Sequence, residues 1–291
     1  MLKSARKLRF KILTSREFSV GAPLIIEEIK KRHYEITRYS DDQMPDYNTL
    51  LDCDVYFDMS SITEGAHYIK FQLALDHMSR LNGTTPLLID PPLAVINALD
   101  KRLTNELFHD LVPRAFNLDG TNNSQIISNF NGEFVVIKSP IGWGGRGVER
   151  VRTKEAFLLT KNSKGLIMQE YIEPIYGVGR ILTLNYKGDF QILCAYNRIS
   201  KSWKVGMQSK YKCELKQLDS KLTNFAYNIS AKSGLYLNGI DYIESADGKL
   251  YLLEVNSVPA IKEPMDEFGL NTPKLIIDHI ERSVLISRRS K

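Results

Sequence analysis

The segment "GIDYIESADGKLYLLEVN" (Gly239–Asn256) sets two carboxylates and an amide on what reads as one hairpin. Two apolar strand patterns meet at Asp247-Gly248, a pair favoured in two-residue hairpin turns. With that turn, Ala246 faces Lys249 and Asp241 faces Glu254, their Cβ atoms about 4.5–5.5 Å apart. Asn256, two residues further, points to the same face. Opposed like charges cost stability unless something neutralises them. A divalent cation does so, and an all-oxygen set suits Mg2+ or Mn2+. The plainer alternative is an exposed hairpin rim, since a one-residue slip would part the pair.

A second stretch, "VVIKSPIGWGGRGVERV", holds Gly142, Gly144 and Gly147 in G-x-G-x-x-G spacing. A dinucleotide-binding loop would open a helix, whereas "VERV" alternates as a strand. The Gly-Lys-Ser/Thr ending of a P-loop is absent, and Lys138 precedes the glycines where a protein kinase has its lysine after them. What remains is a strand–flap–strand hairpin whose backbone N–H groups can fold over phosphates. Lys138 ends the apolar run Phe134–Ile137 and reads either as solvent-facing or, beside such a flap, as a phosphate ligand. Trp143 would close the flap against water or face a partner. A third stretch, "LIMQEYIEP", turns polar at Gln169, Glu170, Tyr171 and Glu173 before Pro174. It could offer backbone groups to a base edge and Glu170 or Glu173 to ribose hydroxyls; by itself it is an ordinary strand end.

The elements that must position these groups follow from pattern. Up to about residue 92, "LRFKILT", "YEITRYS", "DVYFDMS" and "PLLID" read as strands, with "PLIIEEIKKRH" and "HYIKFQLALDHMSRL" as helices between them. Such alternation predicts a small parallel α/β layer. The prolines of "DPPLAVINALDK" read as a break and a domain boundary. Helix "KRLTNELFHDL" follows, then two β-rich blocks. One holds helix "TKEAFLLTK" with Thr153 as N-cap. The other holds helix "SKLTNFAYNISAKSG". A last helix opens at Pro273. The expected division is 1–92, 93–172 and 173–291.

The 291 residues are 43% hydrophobic and 25% charged, enough for two or three lobes. No apolar run approaches the roughly 20 residues that span a bilayer, so no membrane role is expected. The basic start "MLKSARKLRFK" lacks the apolar centre of a secretory signal; a transit peptide is its alternative reading. Cys53, Cys194 and Cys213 show no C-x-x-C spacing and the five histidines are scattered, which points to reduced thiols in a cytoplasmic protein without a zinc site. A net charge of +5 suits an anionic substrate and gives no ground for nucleic-acid binding. Lys201, Lys204, Lys210, Lys212 and Lys216 form the densest basic cluster.

Taken in order, Lys101 in "LDKRLTNELF", Lys138 before the flap, the "MQEYIEP" hinge, Arg180 in "GVGRILTLNYKGDF", Arg198 in "AYNRIS", and Asp241, Glu254 and Asn256 resemble an ATP-grasp enzyme. The chain is most similar to the RimK-like and glutathione-synthetase-like carboxylate–amine ligases. That resemblance implies an α/β (α+β) fold: a Rossmann-like N-terminal lobe, then two α+β lobes enclosing ATP. Lys101 and Lys138 would contact the ATP phosphates, with Gly144, Gly145 and Arg146 in the flap. Gln169, Glu170 and Ile172 would line the adenine site, Ile172 through its backbone, and Asp241, Glu254 and Asn256 would bind two Mg2+ ions. Arg180, Arg198 and Lys204 would serve the carboxylate and the acyl phosphate.

Two departures from the family pattern stand out. Val178-Gly179-Arg180 replaces an expected Asp-Ile-Arg, and Lys204 and Gly206 stand where an Arg-x-Asn segment is usual. Lysine keeps the charge but loses the bidentate fork. The leading reading is an ATP-dependent ligase joining a substrate carboxylate to an amino acid or peptide amine, with an acidic peptide or carrier protein as one partner class. The alternative is a catalytically silent ATP-binding sensor or scaffold. The substrates and the oligomeric state, a homo-oligomer included, are left open.

Overall fold

A computed structural model describes residues 7–15, 20–60, 65–81, 86–118, 123–142, 144–160, 165–206 and 209–289. Strands β1 (Arg9–Thr14), β2 (Glu35–Ser40), β3 (Val55–Met59) and β4 (Leu87–Ile89) alternate with helices α1 (Gly21–Lys31), α2 (Tyr47–Leu51) and α3 (Gly65–Leu81). They form a parallel sheet in the order β2-β1-β3-β4. The parallel layer read from alternation is therefore present. The proline-marked break is instead helix α4 (Pro92–Leu99): Pro92 sits in its first turn, where the missing N–H costs nothing. Helix α5 (Lys101–Leu107) follows, capped by the Asp100 carboxylate on the Arg102 N–H at 2.9 Å.

The second sheet holds β5 (Ala115–Asn117), β6 (Phe134–Lys138), β7 (Val148–Arg152) and β8 (Ile167–Glu170), antiparallel in the order β5-β8-β6-β7, with helices α6 (Asn123–Ile127) and α7 (Thr153–Thr160). Thr153, expected to cap α7, is its first residue, and its hydroxyl donates to the Gly132 carbonyl at 2.6 Å. The third sheet runs β9 (Val178–Tyr186), β10 (Asp189–Ile199), β11 (Lys212–Leu215), then after α8 (Ser220–Ser233) β12 (Leu237–Glu244) and β13 (Leu250–Asn256), in the order β11-β10-β9-β12-β13. Helices α9 (Glu263–Phe268) and α10 (Thr272–Arg289) end the chain. Among the described residues no helix is long and apolar enough to cross a membrane.

The first and third sheets share their cores. Phe10, Ile12, Val55 and Phe57 pack with Leu182, Leu184 and Tyr196, sealed by Ile276, Ile277 and Ile280 of α10. Leu13 and Tyr56 pack with Phe225, Ile229 and Ile240 on the opposite side. The second sheet has a small core of its own around Phe130, Val135, Ile137 and Met168. Asp90, just past β4, fastens the shared body from within. Its Oδ1 accepts the Tyr236 and Leu237 N–H groups at 2.6 and 2.8 Å.

Burial pushes the Asp90 carboxyl up to about 8 against the pull of those two N–H groups. Both bonds fall on Oδ1, which leaves Oδ2 able to hold the proton. The folded chain then keeps a proton that the unfolded chain, with an ordinary value of 3.8, has released. This contribution to stability declines as pH rises from about 4 to about 8. Asp90→Asn keeps the acceptor and removes that slope, read as urea-unfolding free energy against pH. Asp90→Ala orphans two buried N–H groups and lowers stability by about 2–4 kcal/mol.

Candidate active site

A cavity of about 510 Å3 opens between the second and third sheets, of a size that suits a small-molecule site. Its lining brings together Lys101, Lys138, Gly144, Gly145, Gln169, Glu170, Ile172, Arg180, Arg198, Lys204, Asp241, Glu254 and Asn256. Of the expected site residues, Arg146 and Glu173 are exposed and do not line it. Trp143 lies outside the described residues.

The hairpin that carries the carboxylates has the expected pairing but not the expected turn. The Ser245 N–H donates to the Lys249 carbonyl at 3.0 Å and the Gly248 N–H to the Ser245 carbonyl at 2.8 Å. The loop is thus three residues, Ala246–Gly248, with Gly248 at φ +80°, where glycine is favoured. This moves the register by one. An irregularity between Asp241 and Tyr242 moves it back: Tyr242 pairs with Leu252, yet Asp241 pairs with Glu254. Two one-residue displacements cancel, and the carboxylates face each other.

They are neutralised in different ways. Arg180 grips Asp241 in a two-pronged contact, Nε on Oδ1 and Nη2 on Oδ2, each at 2.7 Å, and Arg198 adds a bond to Oδ1 at 2.8 Å. Burial alone would raise the Asp241 carboxyl; the two guanidiniums outweigh it and hold it below the ordinary value. Three of the roughly four acceptor positions on this carboxylate are used, so one remains, on Oδ2. Glu254 is nearer free: Lys101 approaches it at 3.5 Å. Asn256 donates its amide nitrogen to the Gly239 carbonyl at 3.3 Å, which leaves its oxygen as the group to offer. One oxygen position on Asp241, the Glu254 carboxylate and the Asn256 oxygen make a hard donor set that fits Mg2+.

Opposite them stand two buried lysines. Lys138 ends β6, where burial lowers its ammonium to about 8, Glu254 resists that fall and Lys101 adds to it. Lys101, at the start of α5, donates to the Gly142 carbonyl at 2.6 Å and so ties that helix to the flap. The flap backbone bends through Gly144 and Gly145 at φ +62° and +76°. At the strand end expected to take a base, Gln169 is buried on β8, its amide 3.4 Å from the Pro113 carbonyl, and Glu170 faces Arg114 at 3.6 Å.

Gly179, Gly206 and Lys204 have physical reasons here, whereas no contact among the described residues explains Val178 in place of an aspartate. A Cβ on Gly179 would fall 2.3 Å from the Tyr242 ring, so the ring occupies the space of a larger residue. A Cβ on Gly206 would fall 2.7 Å from the Gly144 carbonyl oxygen. Lys204 donates to the flap carbonyls of Gly145 and Val148 at 2.9 and 3.0 Å, and so holds the flap rather than facing the carboxylates. Beside it, the Arg150 guanidinium lies 4.6, 4.9 and 5.3 Å from the ring centres of Phe134, Tyr171 and Trp203. The loop after β10 therefore latches onto the flap. The lysine cluster does not act as one patch: Lys212 and Lys216 pair with Glu214 and Glu244 at 2.9 and 3.2 Å, whereas Lys201 and Lys210 are exposed. Glu263, Tyr211 and Trp203 line the cavity and escaped sequence reading. "EPMDEF" signals only a helix start, and isolated aromatics carry no spacing rule.

A cavity between two α+β lobes, roofed by a glycine flap and floored by a carboxylate hairpin, is the arrangement of ATP-grasp ligases. Two solved structures share the fold. The ATP-grasp ligase PsnB complexed with minimal precursor matches with TM-score 0.72 and 14% identity, over 94% of this chain and 99% of that one. PsnB complexed with minimal precursor, Mg and ADP matches with TM-score 0.70 and 14% identity, over 94% and 97%. The RimK-like ATP-grasp domain model matches residues 112–280, and the chain belongs to that family of ADP-forming carboxylate–amine ligases, which use ATP and Mg2+. It is 29% identical to the tetrahydromethanopterin:alpha-L-glutamate ligase of Methanocaldococcus jannaschii over 198 residues, 64% of this chain and 66% of that protein. The protein of the same description from Methanococcus maripaludis is 28% identical over 253 residues, 82% of each.

Two outcomes follow. The cationic form of Lys138 is the one that attracts phosphate, so the affinity of the free protein for ADP falls as pH rises through about 8. Titration calorimetry from about pH 7 to 9 should show this fall in the wild type and not in Lys138→Arg, whose guanidinium stays charged. Lys204→Met removes both bonds from the loop to the flap and should raise the KM for ATP about tenfold.

Proposed function

We propose that the protein activates a substrate carboxylate with ATP and joins it to the amine of an amino acid, L-glutamate being the first candidate. The observation that carries this reading is one cavity where Lys101 and Lys138 face Asp241, Glu254 and Asn256 beneath a glycine flap. In the reaction, a carboxylate oxygen of the substrate bonds to the γ-phosphorus and ADP departs. The amine nitrogen then bonds to the acyl carbon, phosphate leaves and the nitrogen gives up a proton. Such a transfer needs positioning and charge stabilisation more than a protein nucleophile.

Lys101 and Lys138 hold the phosphates, with the flap N–H groups of Gly144 and Gly145 above them. Gln169, Glu170 and the Ile172 backbone take the base. Glu254, Asn256 and the remaining Asp241 position hold Mg2+, or Mn2+, which when bound offsets the phosphate charge. Arg180 and Arg198 stand where planar donors suit a carboxylate. L-Glutamate is suggested by the two methanopterin-related ligases, whose printed names contain it. We also propose the lobe division 1–92, 93–172 and 173–291 and a cytoplasmic setting. The flap and strand positions, and three thiols that are all free, are consistent with these. The silent-scaffold alternative is favoured by one observation, the three bonds already spent on Asp241.

The test is phosphate release from ATP and Mg2+ with pools of amino acids and acidic peptides. Release that requires both a carboxylate and an amine, and that drops at least about 100-fold in Glu254→Ala and Asn256→Ala, supports the ligase. Nucleotide binding with no release from any pool supports the scaffold.

A further inference from the structure

Glu263 is a cavity-lining carboxylate that the ligase reading leaves without a role, and the Arg180 guanidinium is near enough to be stabilised by its charge. Glu263, in the first turn of α9, accepts hydrogen bonds from the Tyr196 and Tyr211 hydroxyls, the latter at 2.6 Å, and from the Cys213 thiol at 3.9 Å. All three donors are neutral. Among the described residues no lysine, arginine or histidine forms an ion pair with it. A carboxylate on a cavity wall whose own hydrogen bonds all come from neutral donors can still take a charged donor from a ligand.

Close by is a cation with a spare donor. Arg198 spends one Nη on Asp241, and among the described residues its other Nη has no hydrogen bond. The two groups are joined through one ring: the Arg198 guanidinium lies 6.0 Å from the centre of Tyr211, whose hydroxyl holds Glu263. A negative and a positive group bracketing one tyrosine match the two ends of an α-amino acid.

We propose that Glu263 holds the ammonium of the incoming amino acid while Arg198 holds its α-carboxylate, so that the amine partner is selected as a zwitterion. This deepens the ligase reading and rests on it. Tyr211 is the spacer that fixes the distance between the two ends. Val20, Gly21 and Met59 of the first sheet's body also line the cavity. The pocket therefore rejects simple amines, which satisfy Glu263 but leave Arg198 unpaired, and dicarboxylic acids without an amine, which do the reverse.

The experiment measures phosphate release with ATP, Mg2+ and the acidic-peptide pool, using either L-glutamate or hydroxylamine as the amine. Hydroxylamine is uncharged at neutral pH and has no carboxylate, so it can trap an activated acyl group without either contact. In Glu263→Gln, the ratio of kcat/KM for L-glutamate to that for hydroxylamine should fall roughly 10- to 100-fold, mostly through KM. Glu263→Asp should recover part of it. An unchanged ratio in Glu263→Gln, or an equal loss with both amines, overturns the inference, the second outcome marking Glu263 as structural. Release with hydroxylamine but not with L-glutamate in the wild type overturns it while the ligase reading survives. No release with either amine overturns the ligase reading itself.

Discussion

A buried carboxylate bound by two buried guanidiniums is the constraint around which this molecule is arranged. Asp241, Arg180 and Arg198 come from three neighbouring strands, and their contacts exist only if β10, β9 and β12 stay in register. A slip of one residue in any pair would turn a side chain to the other face and leave a charge alone in a low-dielectric interior. Removing one partner of such a cluster costs far more than the cluster contributes when whole. The register of the third sheet is thus specified by electrostatics as well as by the alternation of apolar residues. Glu254 and Asn256 inherit their places from it.

Charge is also distributed unevenly along the cavity. Lys101 and Lys138 crowd one end, held there by the starts and ends of elements in the second lobe, and Glu254 is the nearest anion to both. Two ammonium groups pressed together in a buried site favour whatever brings negative charge between them. The backbone of the flap adds oriented N–H groups without adding net charge. The end proposed for phosphate is therefore cationic, while the opposite wall, with Tyr196, Tyr211 and Glu263, is built mostly from neutral hydroxyls.

Much of the fold was legible because hydrophobic alternation and glycine placement act locally. The parallel layer of β1 to β4, the strand–flap–strand unit and the ends of α8 and α10 all follow from short-range pattern. The pairing of Asp241 with Glu254 was legible for an incomplete reason. Asp-Gly marks a hairpin but not its loop length, and a bulge near Leu253 restored what the longer loop displaced. Helix α4 was hidden because proline is a breaker inside a helix and an ordinary residue at its start. Glu263 and Trp203 were not legible, since their roles arise from tertiary approach and not from spacing. Gly179 and Gly206 stand in the two stretches that depart from the family pattern. In the structure one makes room for the Tyr242 ring and the other for the Gly144 carbonyl.

The second sheet keeps a hydrophobic core separate from the one that the first and third sheets share. Among the described residues no buried apolar cluster crosses the cavity. The gap is bridged largely by polar or cationic contacts, among them Lys204 on two carbonyls, Arg150 among three rings and the short bridge between Asp100 and Ile141, beside one edge-on ring contact of Tyr171 with Trp203. Water can replace each of the polar contacts at little net cost, whereas a shared apolar core would have to be torn open. Parting the two bodies like a clasp would therefore tear open little apolar surface, and a molecule in the cavity would need no unfolding of either to leave.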